Sequence, residues 1–383
     1  MTQHLAPATL ARVNGYFDHN ATTPLSPPAR EAYLEAADRY WHNPSGLYRE
    51  AAASRRALED ARESLAEILS VEPQRIVFDS GATEGCNAVF RHFAAKPVAI
   101  SAVEHPCVTE AAEHYCSVST LPSSRGGVTE IAAIPEGVEL VSLMAANNEN
   151  GVLQPWREAL AHCQERQIPF HCDASQWLGK LDPEELGRCD YLTATAHKFG
   201  GPKGVGFTLV PPSGATTSHQ LGGPQEHGHR AGTEDYPAIA SMIAALEAID
   251  QPGSPQGRDQ FEAVVTEQLP GTVIVGEGTD RLWNTSMLIM PDHKNLKWLT
   301  RLSARGICVS TGSACSAGKD NPSRVLLAMG FGYGEMSRAL RFSSGHDTSI
   351  DDWRAAAGAL VETQTQLGGG QSDTLGKISL TDL

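Results

Sequence analysis

The segment DYLTATAHKFGGPKGVGFTLV, residues 190–210, decides the fold of this chain. Two short apolar runs, at 191–195 and 205–210, flank a polar turn that is rich in glycine. Runs of this length that end in Gly or Pro are typical of buried β-strands. Lys198 follows the first run, where burial would lower the pKa of its amine and favour the neutral nucleophile that forms imines. The alternative, a surface lysine in a glycine-rich loop, stays open from this segment alone.

The rest of the chain up to about residue 250 alternates in the same way between strand-like and helix-like pieces. The strongest helix pattern covers residues 47–70, and WREALAHCQERQ (156–167) predicts another helix. The further predicted strands are PVAISAVEH (97–105), VELVSLMAANNENG (138–151) and IPFHCDASQ (168–176). This alternation predicts an α/β domain with a mostly parallel sheet and helices on both faces.

A segment rich in Gly, Pro and polar residues, QPGSPQGRDQ (251–260), indicates a domain junction. We predict a large domain over 15–250 and a smaller α+β domain made of 1–14 and 251–366. The smaller domain would carry a Gly/Ser-rich loop at 309–323, whose composition predicts mobility. Residues 367–383 are predicted to be a flexible tail.

Composition excludes several classes of function. The net charge is −15, which disfavours direct binding to a phosphate backbone, and no apolar run approaches the ~20 residues of a membrane span. The eight cysteines include no CxxC pair, so we expect reduced thiols and no metal site. The first residues lack the features of a signal peptide, and we therefore expect a cytoplasmic protein without membrane contact.

Polar residues follow several predicted strands, where ligands bind in open α/β sheets. Ala82 and Thr83 follow Gly81 at a turn into a helix, which predicts either an ordinary helix start or a phosphate site. His105 and Asn148 follow two further strands, and each alone is more simply a structural residue. Asp173 ends another strand and must find a cation or a donor. An anion site, a ring-stacking histidine, a carboxylate and a lysine at one sheet edge together match the needs of pyridoxal 5′-phosphate.

At this point the chain resembles a family. It is similar to class V, fold-type I pyridoxal-phosphate enzymes, and specifically to cysteine desulfurases of the NifS/IscS type. The matching segments follow the family order: YFDHNATTP (16–24), NPSG (43–46), VFDSGATEGCN (77–87), EHPCV (104–108), NNENG (147–151), CDASQ (172–176), TAHKFGGPKGVG (195–206), RAGTED (230–235), STGSACSAG (310–318) and RFSSG (341–345). The resemblance implies a large domain with a seven-stranded, mostly parallel sheet plus a smaller α+β domain.

The resemblance also implies cofactor-binding roles. Lys198 would hold the cofactor covalently, and His105 would stack on its ring and take part in proton transfer. Asp173 would pair with the pyridine nitrogen. The phosphate would be bound by Ala82, Thr83, Thr195 and His197. The phenolic oxygen would be bound by Asn148 and Gln176.

Substrate and partner roles follow from the same resemblance. Arg341, with Asn43, would hold the substrate carboxylate, which suits the planar fork of an arginine. Thr233 would reach the phosphate of a neighbouring subunit, so the resemblance implies a homodimer.

Cys315 lies in the Gly/Ser-rich loop and would be the catalytic nucleophile. The resemblance implies that it takes sulfur from L-cysteine as a persulfide, releases alanine, and passes the sulfur to an acceptor protein for iron–sulfur clusters or thiolation. Cys308, within the strand-like GICVS, is predicted to be buried and inert.

Two features depart from the family pattern: Ala196 replaces a glycine, and Asn150 replaces an apolar residue. Selenocysteine or cystine lyases and class V aminotransferases share the cofactor site and remain alternatives, although neither requires Cys315. A non-catalytic relative would have lost at least one of Lys198, Asp173, His105 or Cys315, and all four are present.

Overall fold

The computed structural model describes residues 15–212, 220–312 and 323–368, and its central element is a seven-stranded sheet. The strands are β1 (Ile76–Asp79), β2 (Pro97–Ser101), β3 (Ser117–Leu121), β4 (Leu140–Ser142), β5 (Phe170–Asp173), β6 (Tyr191–Thr195) and β7 (Gly206–Leu209). Their spatial order is β1-β7-β6-β5-β4-β2-β3. Five strands run parallel from β3 through β6, whereas β7 is antiparallel to both of its neighbours. The predicted α/β architecture is confirmed.

Burial explains why these segments form strands. Every residue of β1, β4, β5, β6 and β7 is buried, and such continuous apolar runs are typical of sheets covered on both faces. In register, Asp173 at the end of β5 lies opposite Thr193 of β6. The carboxyl ends of β4, β5 and β6 therefore meet at one edge of the sheet.

Eleven α-helices are described, most of them packed on the sheets. They are α1 (Pro27–Arg39), α2 (Arg49–Leu69), α3 (Ala82–His92), α4 (Pro106–Tyr115), α5 (Trp156–Glu165), α6 (Tyr236–Glu247), α7 (Gln256–Gln268), α8 (Asn295–Ala304), α9 (Arg324–Ala328), α10 (Tyr333–Met336) and α11 (Ile350–Gly368). Short 3-10 helices occupy Pro73–Arg75, Ile131–Ala133, Leu186–Arg188, Ala196–Lys198 and Glu226–Gly228. The start of α6 has the residue types that favour a helix N-terminus. The Asp235 carboxylate accepts a hydrogen bond from Ala238 N at 3.2 Å, and a proline lies in the first turn.

A second, antiparallel sheet lies in the C-terminal part of the chain. It consists of β8 (Val273–Ile274), β9 (Thr285–Ile289) and β10 (Ala339–Ser343), in the order β10-β9-β8. Its core includes Phe261, Trp298 and Phe342, together with residues of α11. Phe17 joins this core, and its ring centroid lies 4.8 Å from that of Trp353 in an edge-to-face contact.

Residues 15–23 run between the two sheets and are bonded to both. Phe17 N donates to Cys308 O at 2.8 Å, and His19 N donates to Ser343 O at 3.0 Å. Thr23 N donates to His197 O at 2.8 Å, which ties the segment to the turn after β6. This N-terminal strip therefore connects the second sheet to the edge of the first.

The main predicted helices and all predicted strands but one are present. The predicted strand around Cys308 forms only isolated bridges, one to Tyr16 and one between Ser310 and Arg341, and Cys308 itself is half-buried. The division into a large and a small domain stays a prediction, and residues 1–14 and 369–383 lie outside the described part of the chain. Among the described residues, no helix combines the length and the apolar character that crossing a bilayer requires.

Candidate active site

A cavity of about 490 Å³ lies beyond the carboxyl ends of β4, β5 and β6. Pockets of about 300–1,000 Å³ are typical of small-molecule sites. Its walls come from the turns that follow the strands and from the N-terminal strip. Predicted site residues in its lining are Ala82, Thr83, His105, Asn148, Asp173, Gln176, Thr195, His197 and Lys198. The strand-end pattern and the resemblance together predicted that these nine residues lie near one another, and they line one cavity, while the roles assigned to them stay predictions.

Lys198 lies in the short 3-10 helix that continues β6, and its amine is held by the N-terminal strip. Nζ donates to the carbonyl oxygens of Asn20 at 2.6 Å and Ala21 at 2.9 Å. Burial, the largest cause, and the positive charge of Arg341 together lower the pKa of Lys198 to about 8, while Asp173 opposes the shift. A substantial fraction of the amine is therefore neutral near pH 8, as a nucleophile or base requires.

The opposite end of the cavity is formed by the start of α3. The helix begins at Ala82, and Gly81 at the N-cap position has a φ of +128° and makes no side-chain capping bond. A Cβ at Gly81 would lie 2.9 Å from Thr195 Oγ1, so only glycine fits this turn. The first N–H groups of a helix have no intrahelical partner and attract anions. The N-terminal end of α3 has no side-chain cap and lies beside the Thr195 hydroxyl, so it is suited to binding an anion.

Two basic side chains, His197 and Lys203, also line the cavity. Burial, the largest cause, and the neighbouring lysines Lys198 and Lys203 together lower the pKa of His197 to about 4. Its ring is therefore neutral near pH 7 and acts as a hydrogen-bonding group, with Nδ1 at 3.2 Å from Thr22 Oγ1.

Asp173, at the end of β5, is 5% exposed. Its Oδ1 accepts a hydrogen bond from Ser175 N at 2.9 Å, and the Cys107 thiol lies 3.8 Å from Oδ2. His105 caps α4, and its Nδ1 accepts from Cys107 N at 3.2 Å. Burial lowers the pKa of His105, Asp173 raises it, and Lys198 lowers it. The net effect lowers the pKa of His105, so its imidazole is neutral near pH 7.

Two buried atoms of the lining lack partners within the described part of the chain: Asn148 Oδ1 and Ser175 Oγ. Buried polar atoms are nearly always hydrogen-bonded, so these two indicate a polar ligand. The Gln176 amide is occupied instead: Nε2 donates to Asn20 O at 2.9 Å, and Oε1 accepts from Lys180.

The residues present fit pyridoxal phosphate. One cavity of suitable size is surrounded by an anion site, the Asp173 carboxylate, Lys198 and polar atoms that lack partners among the described residues. The Lys198 amine is about half neutral at pH 8. These are the groups that the phosphate, the pyridine nitrogen, the aldehyde and the ring substituents of this cofactor require.

Arg341, from β10, approaches the same edge from the second sheet and is 1% exposed. Its Nη2 forms an ion pair with Asp18 Oδ1 at 2.6 Å. Nη1 donates to Asn148 O at 2.8 Å and to Gly312 O at 3.0 Å, while Nε has no partner among the described residues. Arg341 therefore lies next to the cavity wall, bonded to the backbone of Asn148, which lines the cavity.

The two remaining predicted residues lie apart. Asn43 and Thr233 are exposed, and neither belongs to the described residues that line the cavity. The Asn43 side chain accepts a hydrogen bond from Ser45 N at 2.9 Å.

Cys315 lies outside the described residues, but both neighbours of its segment are described. Gly312 O is bonded to Arg341, and the Ser323 hydroxyl donates to Glu149 Oε2 at 2.6 Å. Burial raises the pKa of Glu149, while the Ser323 hydroxyl and Arg341 lower it. Gly312 and Ser323, the described residues on either side of 313–322, are therefore both bonded close to Asn148 at the cavity wall.

Several residues at the site were not predicted from the sequence. The Asn20 and Ala21 carbonyls hold Lys198, Cys107 and Ser175 line the cavity, and Lys180 holds Gln176. Cys107 and Ser175 each lie two residues beyond a predicted one, so examining every residue after a strand would have found them. Backbone carbonyls leave no such signal.

Comparisons with known proteins agree with this geometry. Residues 15–354 match the family model described as aminotransferase class-V. The chain is 36% identical over 354 residues to a cysteine desulfurase of Cereibacter sphaeroides, covering 87% of this chain and 91% of that protein. A solved NifS-like protein superposes with a TM-score of 0.84 at 27% identity, covering 92% of this chain and 99% of the other. SspA, solved in complex with cysteine, superposes with a TM-score of 0.75 at 28% identity, covering 86% and 98%.

Proposed function

Because this chain belongs to the aminotransferase class-V family and is cysteine desulfurase-like, we propose that it converts L-cysteine to L-alanine and transfers the sulfur to Cys315. The balance is L-cysteine plus a Cys315 thiol giving L-alanine plus a Cys315 persulfide. The persulfide then passes its outer sulfur to an acceptor protein, for iron–sulfur cluster assembly or thiolation. A relative solved with bound cysteine supports the choice of substrate.

The cofactor of the family, pyridoxal phosphate, would be held by the residues of the cavity. Lys198 would carry it, with Asp173 at its pyridine nitrogen and His105 at its ring. Ala82, Thr83, Thr195 and His197 would bind its phosphate, and Asn148 and Gln176 its phenolic oxygen. When bound, the cofactor supplies an electron sink for negative charge at the carbon next to the substrate amine.

The chain's own residues supply the remaining functions. We assign to Lys198 Nζ the removal of the Cα proton, since a pKa of about 8 suits an amine that works as a base near neutral pH. Arg341 would bind the substrate carboxylate through Nε, which has no partner among the described residues, and through Nη2, where the substrate would displace Asp18. The Cys315 thiolate would attack the substrate sulfur, so that an S–S bond forms as the C–S bond breaks.

One observation carries the assignment of Cys315. A single nitrogen of Arg341 is bonded both to Asn148 O, on the cavity wall, and to Gly312 O, next to the segment that holds Cys315. Ten residues separate Gly312 from Ser323, and Cys315 is the third of them, so by chain length alone it lies within about 11 Å of Gly312. An aminotransferase or a lyase has no use for a cysteine so few residues from the cavity.

The homodimer belongs to the same proposal. Asn43 lies in a segment that exposes large apolar side chains, with Trp41 69% and Leu47 102% exposed. Exposed apolar groups of this size mark interaction surfaces. A second copy covering this face would bring Asn43 or Thr233 towards a neighbouring cavity. We also propose the division into a large domain, 15–250, and a small one, 1–14 with 251–366, because of the Gly- and Pro-rich segment at 251–260.

The test is to incubate the purified protein with L-cysteine without reductant and to measure alanine and intact mass. We expect alanine, and a gain of one sulfur that maps to Cys315. The matched variants are Cys315→Ala, which should lose both, and Cys308→Ala, which should keep both. Equal alanine from Cys315→Ala would indicate a lyase, and cofactor-loaded protein that forms no alanine would indicate an aminotransferase.

A further inference from the structure

A pair of buried thiols lies beneath the cavity and has no part in the chemistry described above. Cys86 belongs to the middle of α3, and Cys107 lies in the first turn of α4. Their sulfur atoms are 3.8 Å apart, and Cys107 Sγ is also 3.8 Å from Asp173 Oδ2. The two sulfurs and one carboxylate oxygen of Asp173 all lie within 4.8 Å of one another.

This spacing suits a shared metal ion. Two thiolates on one tetrahedral zinc, each at about 2.3 Å from the metal, lie about 3.8 Å apart. A disulfide would need the sulfurs at about 2.05 Å, and hence a movement of one helix towards the other. The observed separation of 3.8 Å matches that of two ligands on one zinc, and without a metal it is bridged by a hydrogen bond from the Cys86 thiol to the Cys107 sulfur.

We propose that Cys86, Cys107 and Asp173 form a binding site for a thiophilic divalent cation of the zinc type. Two sulfurs and one oxygen make a three-ligand set, and the fourth position is left for water from the cavity that Cys107 and Asp173 line. Binding displaces one proton from each thiol to solvent, and the cation with two thiolates and a carboxylate carries a net charge of −1.

Buried polar groups around Cys86 can support such a site. Its sulfur lies 3.5 Å from Thr193 Oγ1, which also lies 3.1 Å from His171 Nε2. His171 Nδ1 is bonded in turn to Ser142 Oγ at 2.8 Å. Outer hydrogen bonds of this kind orient metal ligands and tune their affinity.

A second pair of buried cysteines provides an internal control for the proposed metal site. Cys172 and Cys189 form a second buried pair of interacting thiols in the core of the large sheet. Within the described ranges, no third ligating group joins that pair. The two pairs therefore differ in the presence of a carboxylate.

Occupation of the site has a consequence that rests on the proposed function. Asp173 is also the residue assigned to the pyridine nitrogen of the cofactor. A cation bound to Asp173 and Cys107 would neutralise that carboxylate and fill the cavity floor. The cation and pyridoxal phosphate should therefore exclude one another.

The binding experiment uses the full chain freed of cofactor with hydroxylamine, titrated with Cd²⁺ alone and with Zn²⁺ alone. We expect one cation per chain with a cadmium–thiolate absorption band, retained in Cys189→Ser. Cys86→Ser and Cys107→Ser should each weaken binding at least about 10-fold, the loss caused even by an outer-shell change. Unchanged binding in Cys86→Ser, or no thiolate band in the parent protein, would overturn the proposal. Circular dichroism checks that the variants are folded.

The exclusion is tested by adding pyridoxal phosphate to Zn²⁺-loaded chains and following visible absorbance. We expect slow uptake in the parent protein and normal uptake in Cys86→Ser at the same Zn²⁺ concentration. Full uptake with Zn²⁺ still bound would overturn the exclusion while leaving the metal site in place. A chain that binds Zn²⁺ but never takes up the cofactor, even without metal, would instead refute the proposed function.

Discussion

The two walls of the cavity differ in how far their polar groups are already satisfied. On the wall built from the large sheet, the start of α3 is uncapped, and Asn148 Oδ1 and Ser175 Oγ have no partner among the described residues. On the wall towards the second sheet, Arg341 is paired with Asp18 and with two carbonyl oxygens. Polar groups on the first wall can therefore bind a ligand without losing internal hydrogen bonds. On the second wall, the Arg341 guanidinium already has partners within the protein.

This difference indicates two modes of binding. A ligand on the large-sheet wall satisfies buried groups that otherwise cost free energy, so binding there should be tight. A carboxylate that approaches Arg341 must compete with Asp18, so binding there should be weaker and reversible. Such an asymmetry suits a resident cofactor on one wall and a substrate that turns over on the other.

The largest expected effect is at Lys198. Lys198→Ala should lower alanine formation by at least about 1,000-fold, because it removes both the anchor of the cofactor and the assigned base. The matched change is Lys203→Ala, which removes an exposed cavity lysine and should cost less than about 10-fold. Steady-state rates with L-cysteine measure both. Similar losses in the two variants would show that activity depends on positive charge in the cavity and not on the Lys198 amine in particular.

The next largest effect is at Asp173. Asp173→Asn keeps the shape but loses the charge, and should lower kcat about 100-fold, the lower range for a group that stabilises transition-state charge. KM should change little. The visible absorbance of bound cofactor should shift, which a merely structural residue would not cause. A variant with normal kcat and spectrum would contradict the assignment of this wall to the cofactor.

A pH effect follows from the depressed pKa of Lys198, about 8 in the cofactor-free chain. Only the neutral amine attacks an aldehyde, so the rate of cofactor uptake should rise with pH and level off above about pH 8. Between pH 7 and pH 9 the neutral fraction grows about 10-fold, by simple titration. Stopped-flow absorbance checks this. A rate that keeps rising to pH 10 would mean that Lys198 titrates as an ordinary lysine.

The smallest effect is expected on the opposite wall. Asp18→Asn removes the carboxylate that competes for Arg341, while Asn148 O and Gly312 O still hold the guanidinium. KM for cysteine should fall about threefold, the scale of a weak ion pair, with kcat within about twofold. Arg341→Gln, in contrast, should raise KM. A higher KM in Asp18→Asn would show that Asp18 orients Arg341 rather than competing with the substrate.

The sequence predicted the large-sheet wall more completely than the second. Asp173, Thr195 and Lys198 each follow an apolar run, and strand ends of a parallel sheet meet at one edge, so their meeting could be foreseen. The pairing of Arg341 with Asp18 joins residues 323 positions apart, and no local pattern records it. The same holds for the Asn20 and Ala21 carbonyls, since backbone oxygens have no sequence signature.

Strand boundaries show the same limit. β3, Ser117–Leu121, was not predicted, because it is an edge strand with mostly exposed or half-exposed residues and lacks an apolar run. The apolar pattern around Cys308 predicted a strand, but this segment forms only isolated bridges. Its backbone is bonded to the N-terminal strip. In both cases a neighbour distant in sequence decides the structure.

The N-terminal strip also constrains when this protein can become active during synthesis. Lys198 depends on the carbonyls of Asn20 and Ala21, and His19 N is bonded to Ser343 O, close to the end of the described chain. Contacts of such sequence separation form late in folding, because loop closure must precede them. A ribosome-bound chain that has not yet extended beyond β10 would hold its lysine without this support. Cofactor capture is therefore expected only after β10 has left the ribosome and can fold, and C-terminal truncation before residue 343 should yield colourless protein.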